Sequence, residues 1–348
     1  MKNICFFIDN ISHVGGTERV CLLIANELVK LGYKIFILNK SKPDKIFYSV
    51  SEYISVNYLE KINSGNYLKQ ILKLRSFLKK NQIDTIIDVD TSFAPITEIS
   101  RFMLKIRHIA WEHFNAKFGK CSFRQKIGRK VALYFADKLI LLTEDDRDNY
   151  PRNKKNVCVI PNPLSFFPNE KAILKNKQVI SIGRLTEQKG FNYLIDAFAI
   201  FSKKFPEWKL KIVGEGELYN DLMFHISNNK LNDKIELIGI QKNISHLLLE
   251  SSIFVVSSRY EGFSMVLLEA MSCGLPVISF DCPYGPKSLI SSEDCGILVE
   301  LENTQKLAEE MIKIASDERK RLVYGANARK EAEKYKIENI ISKWVKVL

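Results

Sequence analysis

Short apolar runs alternate with stretches of helical spacing along this chain, and the alternation is run through twice. In the first pass the strand candidates are Ile4–Ile8, Tyr33–Leu38, Ile83–Val89, His108–Trp111, Lys138–Leu142 and Val157–Ile160. The longest early helix is expected from about Thr17 to Leu31, with Val20, Leu23, Ile24, Leu28 and Leu31 at helical spacing. Pro161-Asn162-Pro163 then breaks the pattern, and a polar stretch continues to Asn176. The domain linker is placed there. The second pass has strands at Val179–Ile182, Leu210–Val213, Ile235–Ile238, Ile253–Val256, Val277–Phe280 and Ile297–Val299, with helices such as Gly190–Lys204 between them. Strand and helix in strict alternation imply parallel sheets covered on both faces. The fold class is therefore α/β: two Rossmann-like parallel-sheet domains in tandem, facing a central cleft.

The 348 residues suit two domains of ordinary size. No apolar run approaches the roughly 18 residues that a membrane span needs. The stretch Ile4–Ile8 is too short for a signal-peptide core and reads as a buried first strand of a cytoplasmic protein. Seven cysteines, an odd number without a Cys-x-x-Cys pair, fit reduced and mostly buried thiols better than zinc ligands or disulfides. The net charge of +12 is uneven: residues 1–165 hold 27 Lys and Arg against 16 Asp and Glu, whereas residues 166–348 hold 25 against 24. The asymmetry points to an anionic partner of the first half, a membrane surface, a phosphorylated acceptor or nucleic acid.

Two glutamates eight positions apart carry the most chemistry. Glu261 falls on the loop between the strand Ile253–Val256 and a helix expected from near Phe263 to Gly274-Leu-Pro276. Glu269 falls two turns into that helix. A helix N-terminus presents unpaired N–H groups and a partial positive charge that suit a phosphate, and carboxylates beside it suit sugar hydroxyls. Upstream, a strand ends at Gly183, Arg184 and Lys189 follow on the loop, and a helix opens at Gly190. A guanidinium and an ammonium at the carboxyl end of a parallel strand can neutralise a diphosphate without a metal. Near the start, Gly15-Gly16 joins the first strand to the first long helix, where paired glycines allow close backbone approach to a ligand.

In this order and placement, Gly15-Gly16, Gly183-Arg184 with Lys189-Gly190, Val213-Gly214-Glu215-Gly216 and the Glu261/Glu269 pair resemble the retaining glycosyltransferases of family 4, which have the GT-B fold. Tyr284-Gly285-Pro286-Lys287 and Gly296-Ile-Leu-Val299 look like members that build capsules, O-antigens and other surface polysaccharides. The resemblance implies residues 1–165 as an acceptor-binding domain and 166–330 as the nucleotide-sugar domain, with a C-terminal helix in 331–348 packing back on the first domain. It implies that Arg184 and Lys189 neutralise the donor diphosphate, that Glu269 binds the ribose, and that Glu261 contacts the transferred sugar. Backbone N–H groups of Gly16, Phe263 and Ser264 would help hold phosphate or sugar. A histidine near the reaction centre is expected at His113; its competitor His108 lies inside an apolar strand. The sugar, most simply from a UDP-sugar, would be transferred with retention, the departing diphosphate itself taking the acceptor proton.

Asp88-Val89-Asp90 is an Asp-x-Asp at a strand end, but such a pair is common, and no metal or cofactor is expected to be required. Lys117, Lys120, Arg124, Lys126, Arg129 and Lys130 cluster after His113, interleaved with apolar residues. Residues from about Ser122 to Phe135 read as a basic amphipathic helix suited to anionic lipid. The expected partners are a nucleotide-sugar, a lipid-diphosphate-linked glycan acceptor and an anionic membrane surface, with the protein peripheral on the inner face of the cytoplasmic membrane. No recognised nucleic-acid module is present. Two other readings remain at this point: a GT-B enzyme of different chemistry, such as a sugar-nucleotide epimerase or hydrolase, and a noncatalytic glycan- or lipid-binding partner.

Overall fold

The computed structural model describes residues 2–59, 66–113, 122–292 and 294–348. The chain divides into two compact units, Met1–Ser165 with Ile337–Leu348, and Phe166–Lys336. In the first, strands β1 (Asn3–Ile8), β2 (Lys34–Asn39), β3 (Ser55–Tyr58), β4 (Thr85–Asp88), β5 (Arg107–Trp111), β6 (Lys138–Leu141) and β7 (Val157–Val159) form a sheet in the order β3-β2-β1-β4-β5-β6-β7. All described pairings are parallel. Six of these strands coincide with the apolar runs. Strand β3 does not, because Ser55–Tyr58 is a largely exposed edge strand with no apolar face to recognise. Its crossover helices are α1 (Gly16–Lys30), α2 (Tyr67–Lys80), α3 (Ala94–Arg101), α4 (Phe123–Phe135) and α5 (Glu144–Arg147). Successive side chains of a strand face opposite ways. Cys5 and Phe7 of β1 accordingly join Leu74 and Leu78 of α2 in one core, while Ile4, Phe6 and Ile8 are buried on the other face.

In the second unit, β8 (Gln178–Ile182), β9 (Lys209–Val213), β10 (Ile235–Leu237), β11 (Ile253–Val256), β12 (Val277–Phe280) and β13 (Ile297–Val299) form a parallel sheet in the order β10-β9-β8-β11-β12-β13. Helices α6 (Phe191–Lys204), α7 (Tyr219–Asn228), α8 (Ile244–Leu249), α9 (Met265–Ser272), α10 (Gly285–Leu289), α11 (Thr304–Ser316) and α12 (Glu318–Ala332) flank it. Leu194, Phe198 and Phe201 of α6 pack with Trp208, Leu307 and Met311. The strand order reverses between β1 and β4 and again between β8 and β11. At such a switch point the loops diverge and leave a crevice at the carboxyl edge of the sheet.

The last helix, α13 (Ile337–Val347), belongs to the first unit. Its Ile340 and Trp344 are buried, and Trp344 meets Trp111 of β5 edge-on with ring centroids 4.6 Å apart. Residues 331–336, assigned by sequence to the C-terminal segment, instead finish α12 and the turn Glu333–Tyr335 in the second unit.

A charged group crosses the first core. His108 of β5 is fully buried, with Nε2 2.8 Å from Asp88 Oδ2 and Nδ1 2.6 Å from Glu98 Oε1. Asp88 Oδ1 also accepts from Thr97 Oγ1 at 2.7 Å. Burial alone would lower the histidine pKa, but the charges and hydrogen bonds of Asp88 and Glu98 outweigh it and raise it to about 9. Because that folded value lies above the unfolded value of about 6.5, the stabilisation is complete below the unfolded value and is lost as pH rises through the folded one. His108→Ala should therefore cost about 3–5 kcal/mol in urea unfolding near neutral pH, by stranding the buried Asp88 carboxylate. The parent should lose stability from about pH 6.5 to 9, and the variant should lack that slope. Equal stability of the two proteins would contradict the assignment.

Candidate active site

Strands β8 and β11 are neighbours, with Val179 opposite Ile253 and Ile180 opposite Phe254. The loops leaving their carboxyl ends are stitched together. Arg259 N donates to Gln188 O at 2.8 Å, Gln188 Nε2 to Tyr260 O at 3.0 Å, and Ser257 Oγ to Lys189 O at 2.9 Å. Across this seam Lys189 Nζ lies 2.6 Å from Glu261 Oε1, which also accepts from Ser258 Oγ at 2.7 Å. The two charged side chains are 17% and 7% exposed, so the pair is largely withdrawn from water. Lys189 lies over Gly183, where a Cβ would come within 3.2 Å of the lysine methylenes. Gly190 has φ +59°, and a Cβ there would overlap the Ser257 carbonyl oxygen. Gly190 is thus demanded by close approach of the chain, whereas a Cβ at Gly183 would only press on the lysine methylenes. Ser181, Ile182, Lys189, Ser257, Ser258 and Glu261 help to line a small recess at the switch point.

Helix α9 starts beside this recess. It begins at Met265, with Ser264 as its N-cap, rather than at Phe263. The Ser264 hydroxyl is buried without a hydrogen-bond partner, and the first N–H groups of any helix lack intrahelical acceptors. Phe263 is buried and turns its ring toward Tyr335, centroids 5.9 Å apart. Glu261 bridges to Tyr284 in parallel fashion, and a Cβ on Gly285 would come within 2.6 Å of the Glu261 Cβ. Arg184 is exposed on the loop after β8. Glu269 sits on α9 with no accessible surface at all. A cation and one serine hydroxyl therefore contact one carboxylate close to a helix N-terminus, an arrangement suited to an anionic ligand carrying hydroxyl groups.

In the first unit, Gly15 caps α1 with extended backbone and Gly16 is its first residue. The Glu18 side chain folds back over this end: a Cβ on Gly15 would come within 2.5 Å of Glu18 Oε2. An anion approaching the helix would compete with that carboxylate. His113 follows β5 and is buried, its ring 4.3 Å from that of Trp111. Among the described residues its Nε2 has no hydrogen-bond partner, and burial lowers its pKa to about 3, so the imidazole is neutral. His108 is committed to the core, as described above. The Asp-x-Asp carboxylates are separately engaged: Asp88 holds His108 and Thr97, and Asp90 accepts from Ser92 N at 2.6 Å.

One residue assigned to the basic surface is misplaced. Arg129 is buried, its Nε 2.7 Å from Glu112 Oε2, which also accepts from Thr91 Oγ1 at 2.7 Å. A carboxylate at a buried strand end needs a cation, and the helix supplies it from 17 positions along the chain. Burial pushes the Glu112 pKa up while Arg129 draws it down. Arg124, Lys126 and Lys130 are exposed on α4 as expected. Lys117 and Lys120 lie outside the described residues. Trp344, edge-on to Trp111 beside His113, had no signal in the sequence beyond its apolar spacing.

The Lys189–Glu261 pair makes a separable prediction. Lys189→Met should destabilise the fold by about 3–5 kcal/mol, since it leaves a buried carboxylate without its cation. Lys189→Met with Glu261→Gln should recover most of that loss, giving a coupling energy measurable by a double-mutant cycle in urea. Additive effects of the two substitutions would contradict the pairing.

Known proteins match both halves of this arrangement. Residues 14–165 match the model described as Glycosyltransferase Family 4, and residues 165–331 match Glycosyl transferases group 1. An uncharacterized glycosyltransferase of Haemophilus influenzae is 33% identical over the full length of both chains. The amylovoran biosynthesis glycosyltransferase AmsD of Erwinia amylovora is 29% identical, again over the full length of both. A Campylobacter jejuni α-1,4-N-acetyl-D-galactosaminyltransferase, named for a diphospho-undecaprenol-linked glycan substrate, is 27% identical over 100% of this chain and 98% of its own. Among solved structures, a mutant of S. aureus TarM in complex with fondaparinux, α-GlcNAc-glycerol and UDP superposes with a TM-score of 0.84 at 16% identity, covering 100% of this chain and 99% of that one. With the doubly repeated parallel-sheet architecture and the segments that carry its motifs both accounted for, the chain belongs to the GT-B glycosyltransferases of the family 4 type.

Proposed function

We propose that this glycosyltransferase takes a sugar from a UDP-sugar and adds it, with retention, to a lipid-diphosphate-linked glycan during assembly of a surface polysaccharide. The observation that carries the donor half is the pairing of Lys189 with Glu261 at the β8/β11 switch point, beside the N-terminus of α9. A diphosphate entering there would draw Lys189 Nζ from the carboxylate to itself, with Arg184 as a second cation and the N–H groups of Phe263 and Ser264 as donors. Glu261, relieved of its lysine, would accept from sugar hydroxyls. Glu269 would accept from the ribose once the residues that cover it are displaced. The related AmsD and Campylobacter proteins, by their names, support a polysaccharide product and a lipid-linked acceptor, and the UDP bound to TarM supports the uridine donor.

In this reading the protein stabilises the leaving group and needs no metal. Bond breaking leaves the electron pair on the diphosphate oxygen. The acceptor hydroxyl adds on the same face of the sugar, and its proton passes to that oxygen. His113 is neutral and offers hydrogen bonds without changing charge, so it takes no proton permanently. The enzyme would work on the inner face of the cytoplasmic membrane, and among the described residues no helix is long and apolar enough to cross it.

UDP release measured in EDTA with a polyprenyl-diphosphate-linked oligosaccharide should depend on that acceptor, and NMR of the product should show the donor's anomeric configuration. His113→Ala should lower kcat by about 10²-fold with donor KM little changed, while the parent rate shows no limb near pH 6.5 from this histidine. Release of UDP at the same rate without acceptor would favour a hydrolase, and an inverted product would remove the retaining mechanism.

A further inference from the structure

Two residues where β12 gives way to α10 exchange the backbone roles that a turn normally assigns. Tyr284 has φ +78° and ψ −71°, the geometry of the strained γ-turn. The other non-glycine residues with positive φ among those described, Gln82, Met103, Leu174, Lys230 and Glu302, lie between 49° and 62°, close to the value that single left-handed residues adopt. Gly285 follows; it is buried and is not one of the positive-φ glycines. A plain chain reversal would put glycine or asparagine at the positive φ and leave the next position open to any residue. Here the tyrosine takes the costly conformation and the glycine serves close approach.

The approach is made to Glu261. A Cβ on Gly285 would lie 2.6 Å from Glu261 Cβ, 3.6 Å from its Cγ and 3.3 Å from Ser264 N. The turn therefore packs against the root of that side chain and against the entry to α9. It is fixed from several sides. Glu261 and Tyr284 pair as a parallel bridge, and Ser288 Oγ donates to Tyr284 O at 3.1 Å. Pro286 sits in the first turn of α10, where its ring presets the backbone. Strained backbone persists where the surrounding structure over-determines it, and it concentrates where a reacting group has to be held. Glu261 is thus held at two levels: its carboxylate by Lys189 Nζ at 2.6 Å and Ser258 Oγ at 2.7 Å, its Cβ and Cγ by the turn.

We infer that the Tyr284-Gly285 turn is a positioning element for Glu261, which keeps the carboxylate aimed at the transferred sugar once Lys189 has moved to the donor diphosphate. One link, the departure of Lys189 Nζ, rests on the donor site proposed for the UDP-sugar. That departure removes a charge-assisted hydrogen bond from Oε1 and leaves Ser258 Oγ at the tip of the side chain. An unconstrained glutamate would then spread over several staggered rotamers. Main chain pressed against Cβ and Cγ withholds most of them, so the carboxylate stays preorganised for sugar hydroxyls through the step in which its cation leaves. Tyr284 and Gly285 act through Glu261 and need not touch the sugar.

Kinetics and urea unfolding of full-chain variants test this. Gly285→Ala forces the turn and Glu261 apart. It should lower kcat by about 10²-fold with whichever of UDP-glucose, UDP-galactose and their N-acetylamino forms the parent uses best. Tyr284→Gly frees the turn to take either sign of φ and should lower kcat about tenfold; it carries the kinetic test if Gly285→Ala does not fold. Calorimetric affinity for UDP should change by less than about threefold in both, because Glu261 faces the sugar and not the nucleotide. Tyr284→Phe, the conservative variant, keeps the backbone demand and should restore kcat. Without any donor, the Lys189–Glu261 coupling in a double-mutant cycle should shrink in the Tyr284→Gly background. Parent kcat in both Gly285→Ala and Tyr284→Gly would overturn the proposal, as would UDP affinity that falls in step with kcat. Tyr284→Phe as slow as Tyr284→Gly would give the role to the phenol oxygen and equally overturn it. A parent that binds no UDP would remove the donor site alone, and the urea coupling would then decide: reduced, it supports the turn as positioning element; unchanged, it overturns it.

Discussion

The ion pair between Lys189 and Glu261 exists because β8 and β11 are parallel neighbours, although the two residues are 72 positions apart. Much of the second unit serves that adjacency. Parallel strands deliver their following loops to the same edge, and the reversal of strand order at β8/β11 makes those loops diverge around a recess. Gly183 makes room for the lysine stem, and Gly190 turns the chain into α6 directly against Ser257. The main-chain hydrogen bond from Arg259 N to Gln188 O fixes the register of one loop against the other. A largely buried pair of this kind is weak as a source of net stability, because desolvation of both charges offsets their attraction. Its value lies in holding an ammonium and a carboxylate ready at one point, each able to exchange its partner for part of a ligand.

The first unit solves a different electrostatic problem. It buries several charges around β4 and β5, and each has found a counter-charge: Asp88 and Glu98 around His108, and Glu112 with Arg129. The same stretch of chain thereby holds two histidines of opposite character five residues apart. His108, between carboxylates, is held protonated; His113, against Trp111 and without such partners, is held neutral. Trp344, from the far end of the sequence, backs the Trp111 ring. The position of His113 thus depends on the C-terminal helix as well as on its own strand.

Much of this was legible in the chain itself, and the reasons are physical. Strands buried on both faces must be apolar runs, so β11 and β12 coincide with theirs to the residue, and the less buried β8, β9, β10 and β13 still carry enough apolar residues to be read from the sequence. The motif loops were legible because glycines with demanding neighbours punctuate them. The features that the sequence does not display depend on tertiary partners. Strand β3 is exposed and polar, so it has no apolar signature. Arg129 looks like its neighbours Arg124, Lys126 and Lys130, and only the folded chain shows that Glu112 claims it. The exposure of Leu68 and Leu72 cannot be told from ordinary core spacing until Leu74 and Leu78 are seen to occupy the sheet side of α2.

The most direct test of a metal-free diphosphate site at the β8/β11 edge is calorimetric titration of the protein with UDP, GDP and ADP in EDTA. Selective binding of UDP, at least tenfold weaker in Lys189→Ala and in Glu269→Ala while both variants stay folded, is the predicted result. Binding that appears only when magnesium or manganese is restored would contradict it and move the donor's anchor toward Asp88 and Asp90.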